Sequence, residues 1–520
     1  MDSNFWCTSH KMAGDRTMAI NMTRIEFAAW EPDQPAYGGQ QALDAQNVIP
    51  GKRGYRCMPG LAKMAKPALS SSVLGAFSMK DLSGGLITVA STEHGIFSLD
   101  GAEWAQKHSG AALSSNREFV SYGDVIYALY GTILLKAEVS GAVQDFSAVK
   151  DAPAAARLGI IKDFLVLGKL SGQGNAIRWS GIDDPDAWPA PGSNDAQYKQ
   201  SDVQVFPVGG NVQSIVGGVG GVDGLIFMEE AVHRATFVGP PYVFQFNVVD
   251  RRRGVLASHS PIVCETTCIY LASDGWYATD GSSVRAIGAE RIDQWFFDTC
   301  DMDRVEEVRG VCDAQNRVAF WSFPSNGCPQ NIHNRLLIYN YIVDKWSYAK
   351  LNTEFLFEDY ARGMTLEDLD VYGSLEDVPF SLDSSALKNG SLGISAFDIE
   401  HTLSRFSGDA LEAVIDTAEA GGQRVFMHGI RPLVDRGDAE AAPVWRILQR
   451  DIPSFGTYSR QSRDGVCYQH LSANYFRARV RIPSGKHWLS AVGCEVMAEP
   501  EGVYDGILHG YGRVNADTYP

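Results

Sequence analysis

The chain has no run of about 18 apolar residues, no GxSxG elbow, no HExxH and no CxxC pair. Without a long apolar run, no helix can cross the hydrocarbon core of a bilayer. The opening MDSNFWCTSHKMAGDRTMAINMT lacks the apolar core of a signal peptide, so neither membrane insertion nor export by that route is expected. The missing elbow and HExxH remove the simplest hydrolase templates, and no Cys sits in a known nucleophile signature. Nine Cys, an odd number, are scattered singly without zinc-like Cys/His spacing, as expected of thiols kept in a reducing cytoplasm. Cys264 and Cys268, four apart in a predicted strand, are read as buried thiols on one face and not as a metal pair. No metal and no cofactor is expected.

Positive charge is also in short supply. Lys and Arg total 45 against 62 Asp and Glu, a formal net charge of −17. Binding a phosphate backbone requires clustered cations that release counterions, so a DNA-binding function is excluded. A wall past which DNA slides without sticking is a different case, because like charge favours it.

The chain does have an apolar fraction of 45%, with 52 Gly, 20 Tyr, 24 Phe and 11 Trp in 520 residues. Abundant Gly beside abundant aromatics suits many short strands joined by tight turns. From about residue 70 a unit recurs: an apolar strand, a Gly- or Asp-Gly-containing turn, then a second strand carrying an aromatic. Copies lie at Gly85 to Gly101, Asp124 to Glu138, Asp163 to Gly181, Asp223 to Gly239, Cys268 to Gly281 and Arg317 to Ala349. Their leading strands start at Leu86, Val125, Phe164, Leu225, Ile269 and Val318, in steps of 39, 39, 61, 44 and 49 residues. A four-stranded propeller blade takes about 40 to 50 residues. The long step holds a Pro-rich insertion at residues 182–200.

The expected fold is therefore all-β: a β-propeller over residues 70–350, with an additional C-terminal β-sandwich-like platform domain over 411–500. An N-terminal extended segment occupies 1–69, where Pro32, Pro35, Pro50 and Pro59 forbid a long helix. Residues 351–410 form an acidic excursion or a last blade, since Glu354 to Asp383 holds nine acidic residues and one Arg. A helix is expected at Asp409 to Ala418, and residues 501–520 form a tail. In Tyr475 to Ile482, alternation puts Arg477, Arg479 and Arg481 on one face and Phe476, Ala478 and Val480 on the other.

Four further groups of residues bear on chemistry. VGGVGGVDG, Val216 to Gly224, lacks dinucleotide-loop spacing and reads as a strand-to-strand turn. Asp183, Asp184 and Asp186 in WSGIDDPDAW could hold a cation or supply a glycosidase carboxylate pair, but the order is an ordinary turn former, with Trp179 and Trp188 as packing anchors. Trp276 and Trp295 are candidate sugar platforms or blade anchors. Arg251, Arg252 and Arg253, the only basic triplet, form either a solvated strand end or a subunit interface meeting carboxylates of a neighbouring copy. No catalytic residue is assigned.

The phrases WSGIDDPDAW, QVFPVGGNVQSIVGG, DGLIFMEEAVHRATFVGPPYVFQF, SDGWYATDG, IGAERIDQWFF and NRLLIYNYIVDKWSYA resemble the tail nozzle, or tail hub, proteins of short-tailed bacteriophages. These proteins are also described as tail tubular or DNA-stabilisation proteins. WEPDQP, NVIP and GYRCMPGL resemble that family's start and RPLVD its C-terminal domain, so the resemblance runs from about residue 25 to about 500. It implies a non-enzymatic structural subunit in the virion tail, assembled in the host cytoplasm. Its expected partners are its own copies in a homohexameric ring, a portal adaptor protein, and a docked tail fibre or tailspike. Genomic DNA would pass through the ring without specific binding. The alternatives are a carbohydrate-binding or glycan-cleaving propeller on a particle surface, and a monomeric scaffold propeller of a host cell.

Overall fold

A computed structural model describes residues 21–36, 39–64, 66–101, 103–113, 117–361, 391–485 and 487–501. The described chain is almost entirely strand, with two short α-helices and one 3-10 helix. It forms a β-propeller.

The blades arise from local turn chemistry. Two-residue loops join first to second strands: Gly123–Asp124 between Tyr122 and Val125, Lys162–Asp163 between Ile161 and Phe164, and Gly220–Gly221 between Val219 and Val222. Gly123, Lys162, Gly220 and Gly221 all have positive φ, the conformation that matches a tight turn to the twist of its strands. Six four-stranded antiparallel sheets result, at residues 75–109, 118–148, 155–205, 212–250, 262–286 and 355–405. The last takes its fourth strand, Ala62–Lys63, from the N-terminal segment, which pairs with Ser404 and Arg405. Between the fifth and last blades, the meander 309–349 has the same four-strand form, but its outer strand runs on into a larger sheet.

First strands touch in sequence around the ring, and Phe355–Ala361 returns to contact Gly75–Lys80. A separate apolar cluster fills the space between neighbouring blades. Tyr127, Leu129, Leu158 and Leu165 pack between the second and third blades, and Phe227, Val232, Tyr270 and Tyr277 between the fourth and fifth. Strands buried on both faces must be apolar on both, which explains a run such as VAFWSF at Val318–Phe323, buried throughout. All six recurring sequence units fall on such four-strand meanders. The insertion at 182–200 lies between the third and fourth strands of its blade and carries the helix Asn194–Lys199, capped by the Ser193 side chain.

The C-terminal strands do not form a sheet of their own. Ala413–Asp416, Ala420–Val434, Glu440–Arg446, Cys467–Ile482 and Ala491–Pro500 join the N-terminal strands Asn21–Glu26, Asp44–Gln46, Val48–Pro50 and Tyr55–Cys57 in one continuous sheet with the meander. Its largest core cluster unites Trp30, Trp276, Trp321 and Trp346 with Ile415, Val480 and Trp488. The expected helix at 409–418 is absent. Ala413–Asp416 is instead a strand held between Asp44–Gln46 and Cys467–Ile482, and two ladders outweigh its helical propensity. Cys264 and Cys268 also depart from expectation, because a turn at Glu265 puts them on two antiparallel strands and in different core clusters. The part of the acidic excursion at 362–390 and most of the tail, 502–520, lie outside the described residues.

Candidate functional site

The start of each first strand faces one end of the propeller axis, and there the polar side chains gather. A cavity of about 300 Å³ is lined by Arg157, His259, Arg309 and Phe355 from four different first strands or their leads, with Glu306, Glu307, His333 and Glu354 around them. Its charges fall into two sets. Glu307 is clamped by Arg304 at 2.7 Å and approached by the His333 ring at 3.5 Å. Burial alone would raise the Glu307 carboxyl, but these hydrogen bonds hold it down at about 2. Glu354 is engaged by the His401 ring at 2.9 Å and by Ser72 Oγ at 3.2 Å.

The second set lies deeper. Arg157 donates to the carbonyls of Gln213 and Ala156 and to Glu118, 3.4 Å away, while Glu118 also accepts from the Leu158 amide. Burial raises the Glu118 carboxyl in spite of Arg157. Arg309 stacks on the Phe355 ring, 4.1 Å from its centroid. Burial pushes its guanidinium down to about 10, with Glu118 opposing and Arg157 reinforcing the shift. His259, beside both Arg residues, is held well below the usual histidine range by burial and then by their charges. Arg309 also borders a second cavity, lined by Phe77, Met79, Ser121 and Glu358 further along the first strands.

The residues singled out from sequence are dispersed. Asp183 accepts from Tyr122 Oη at 2.9 Å, Asp184 pairs with Lys199 at 3.1 Å, and Asp186 binds Tyr127 Oη at 3.0 Å and Lys136 at 2.6 Å. Asp183 and Asp186 therefore tie the insertion to the second blade and Asp184 braces it internally, as turn anchors do. Trp179 and Trp188 are buried. Trp276 is fully buried against Trp321, and Trp295 packs edge-on to Trp30 at 4.7 Å, so both serve as anchors. The glycines of 216–224 form the hairpin turn already described. Among the described residues no group of three or more His, Cys, Asp or Glu is placed to hold a metal.

Arg251, Arg252 and Arg253 follow the outer strand Val243–Asp250 and are exposed. The Asp250 carboxylate accepts the amides of Arg252 and Arg253, fixing the turn. Arg253 lies 3.6 Å from Asp250, 3.8 Å from Asp274 and over the Tyr277 ring. Arg251 and Arg252 have no ion pair among the described residues. On the C-terminal sheet, the alternating face carries a charge ladder: Arg479 forks onto Asp416 at 2.6 and 2.8 Å, Arg477 meets the same carboxylate at 3.1 Å, and Arg481 pairs with Glu440 at 3.0 Å. Asp44 lies 3.6 Å from Arg479, and burial together with the Asp416 charge raises its carboxyl to about 6.

No family model matches the chain, and no curated protein matches it. Solved structures do. The WD40 domain of Pan2 from Neurospora crassa aligns over 65% of this chain and 96% of its own, at 8% identity and a TM-score of 0.34. The N-terminal domain of Nup159 aligns over 69% and 97%, at 11% identity and 0.36. An exo-β-1,3-galactanase from Phanerochaete chrysosporium aligns over 82% and 100%, at 9% identity and 0.26. At these identities the likeness concerns the propeller architecture alone.

Proposed function

We propose that the chain is a structural, non-enzymatic subunit of the tail nozzle of a short-tailed bacteriophage. Six copies would form a ring below the portal and its adaptor, dock a tail fibre or tailspike, and enclose the channel through which DNA leaves. The family resemblance of the sequence supplies the phage setting. The observation that carries the reading physically is the single sheet that joins a propeller blade to the N- and C-terminal strands. Such a junction cannot hinge without breaking a hydrogen-bonded ladder, and a wall that holds DNA under pressure needs that stiffness.

Two further features support it. Side chains fill the space between the first strands: Arg309 stacks on Phe355, and Glu118 pairs with Arg157. DNA would therefore pass between copies and not through a propeller. Arg251 and Arg252 stand exposed at a strand end, available to carboxylates of a neighbouring copy in an acidic protein.

Light scattering on the full chain tests the assembly against the glycan-binding alternative. The expected outcome is a species of six times the 56.8 kDa chain mass, with no glycan binding or turnover. A monomer that binds or cleaves an oligosaccharide would overturn the proposal.

A further inference from the structure

The axial cavity holds a cation that the protein does not neutralise. Among the described residues, no acceptor lies within hydrogen-bonding reach of the Arg309 guanidinium, and no carboxylate within ion-pair distance. Its Nη2 is sealed from solvent without a partner, and the guanidinium lies over the Phe355 ring. A guanidinium left without an acceptor and with one N–H group sealed from water is unfavourable. The nearest candidate counter-ion, Glu118, is 3.4 Å from Arg157 and accepts the Leu158 amide besides. Of the carboxylates lining the cavity, Glu307 and Glu354 are held by Arg304 and His401, and Glu306 is exposed to solvent. None is free to satisfy Arg309.

His259 completes the arrangement. Its ring makes no hydrogen bond among the described residues, and its backbone carbonyl accepts the Gly310 amide at 2.9 Å, so its strand is locked beside Arg309. Arg157, with four of its five N–H donors engaged by Gln213, Ala156 and Glu118, adds a second positive charge. The accessible Nε and Nη1 of a planar fork, a neutral imidazole and a second fixed positive charge make a complementary environment for one small oxyanion.

We infer that the cavity at the propeller axis binds a small oxyanion of the phosphate or carboxylate type, held by the Arg309 fork and the His259 ring. The anion would accept from the Arg309 Nε and Nη1 groups, which are not sealed, and offset the repulsion between Arg309 and Arg157. The site would act as an ionic pin, tying the first strands that begin at Arg309 and Ala155 to the lead of the strand at Ile262. This inference does not depend on the nozzle reading, because it concerns the inside of one propeller.

Calorimetric titration of the full chain with inorganic phosphate, at constant ionic strength in chloride, tests it. One phosphate per chain is expected, with acetate competing if the site accepts a planar carboxylate and not competing if it selects a tetrahedral anion. Arg309→Met keeps an apolar stem on Phe355 and should weaken phosphate binding at least tenfold. His259→Gln should weaken it several-fold. Lys150→Gln, on an exposed turn, should leave it unchanged. Arg309→Lys, which keeps the charge and loses the fork, provides the reading if Arg309→Met does not fold, and should also bind more weakly. Absence of saturable phosphate binding to the unaltered chain, or equal affinity in the foldable Arg309 variant, would overturn the inference.

Discussion

Asp416 shows how much a single side chain can carry in this protein. It is fully buried and neutralised by Arg477 and Arg479, so removing it leaves Arg477 without its carboxylate and Arg479 with only Asp44, 3.6 Å away. Asp416→Ala should cost about 3 to 5 kcal/mol, measured by denaturant unfolding. Its neighbour Asp44 behaves in the opposite sense. The Asp44 carboxyl titrates at about 6 in the folded chain against 3.8 ordinarily, so its protonated form is the one the fold favours. That contribution is complete below pH 3.8 and is lost as pH rises through 6. Asp44→Asn keeps an oxygen to accept from Tyr348 Oη, now 2.9 Å away. It should stabilise the chain at pH 7 by on the order of 1 to 3 kcal/mol. It should also flatten the pH dependence of the melting temperature between 4 and 6. The Arg face of Tyr475 to Ile482 was legible from period-two alternation, but its carboxylates were not, because Asp44 and Asp416 come from distant, unpatterned segments. The axial cavity was hidden for a related reason: each blade contributes one unexceptional residue, and only ring closure brings Arg157, His259, Arg309 and Phe355 together.

At the scale of elements, turn chemistry was the most readable signal. The glycines of Val216 to Gly224 show why. Gly220 has φ of 58° and a Cβ there would lie 2.4 Å from the Asp280 carbonyl oxygen, whereas Gly218, with φ of 69°, has open space around it. Gly220→Ala should therefore destabilise by at least 2 kcal/mol and Gly218→Ala by about 1 kcal/mol, the ordinary cost of a left-handed conformation, as read by thermal melts. The strand Ala62–Lys63 gives no such signal. Two residues show no periodicity, yet they complete the last blade and close the ring from the other end of the sequence. The strand Ala413–Asp416 was misread as helix because DALEAVIDTA contains good helix formers, while the ladders that decide its state are both long-range.

For the whole molecule, the repeat of apolar strands and turns was sufficient to indicate a propeller. The blade interfaces follow, since each sheet buries both faces against its neighbours. What the sequence pattern did not reveal is that the terminal strands fuse with one blade into a single sheet, because edge pairing between distant strands leaves no local trace. If copies meet at the Arg251 and Arg252 turn, Arg251→Ser with Arg252→Ser should shift assemblies toward single chains. The melting point of one chain should stay almost unchanged, because neither side chain has an ion pair among the described residues. Added salt should act in the same direction. The central claim, that this chain is the wall of a DNA-conducting ring, is tested most directly by electron microscopy of the purified full-length protein. The account requires closed rings of six propellers around an open lumen wide enough for duplex DNA. Isolated propellers at every concentration, or a ring whose centre is filled by protein cores, would contradict it.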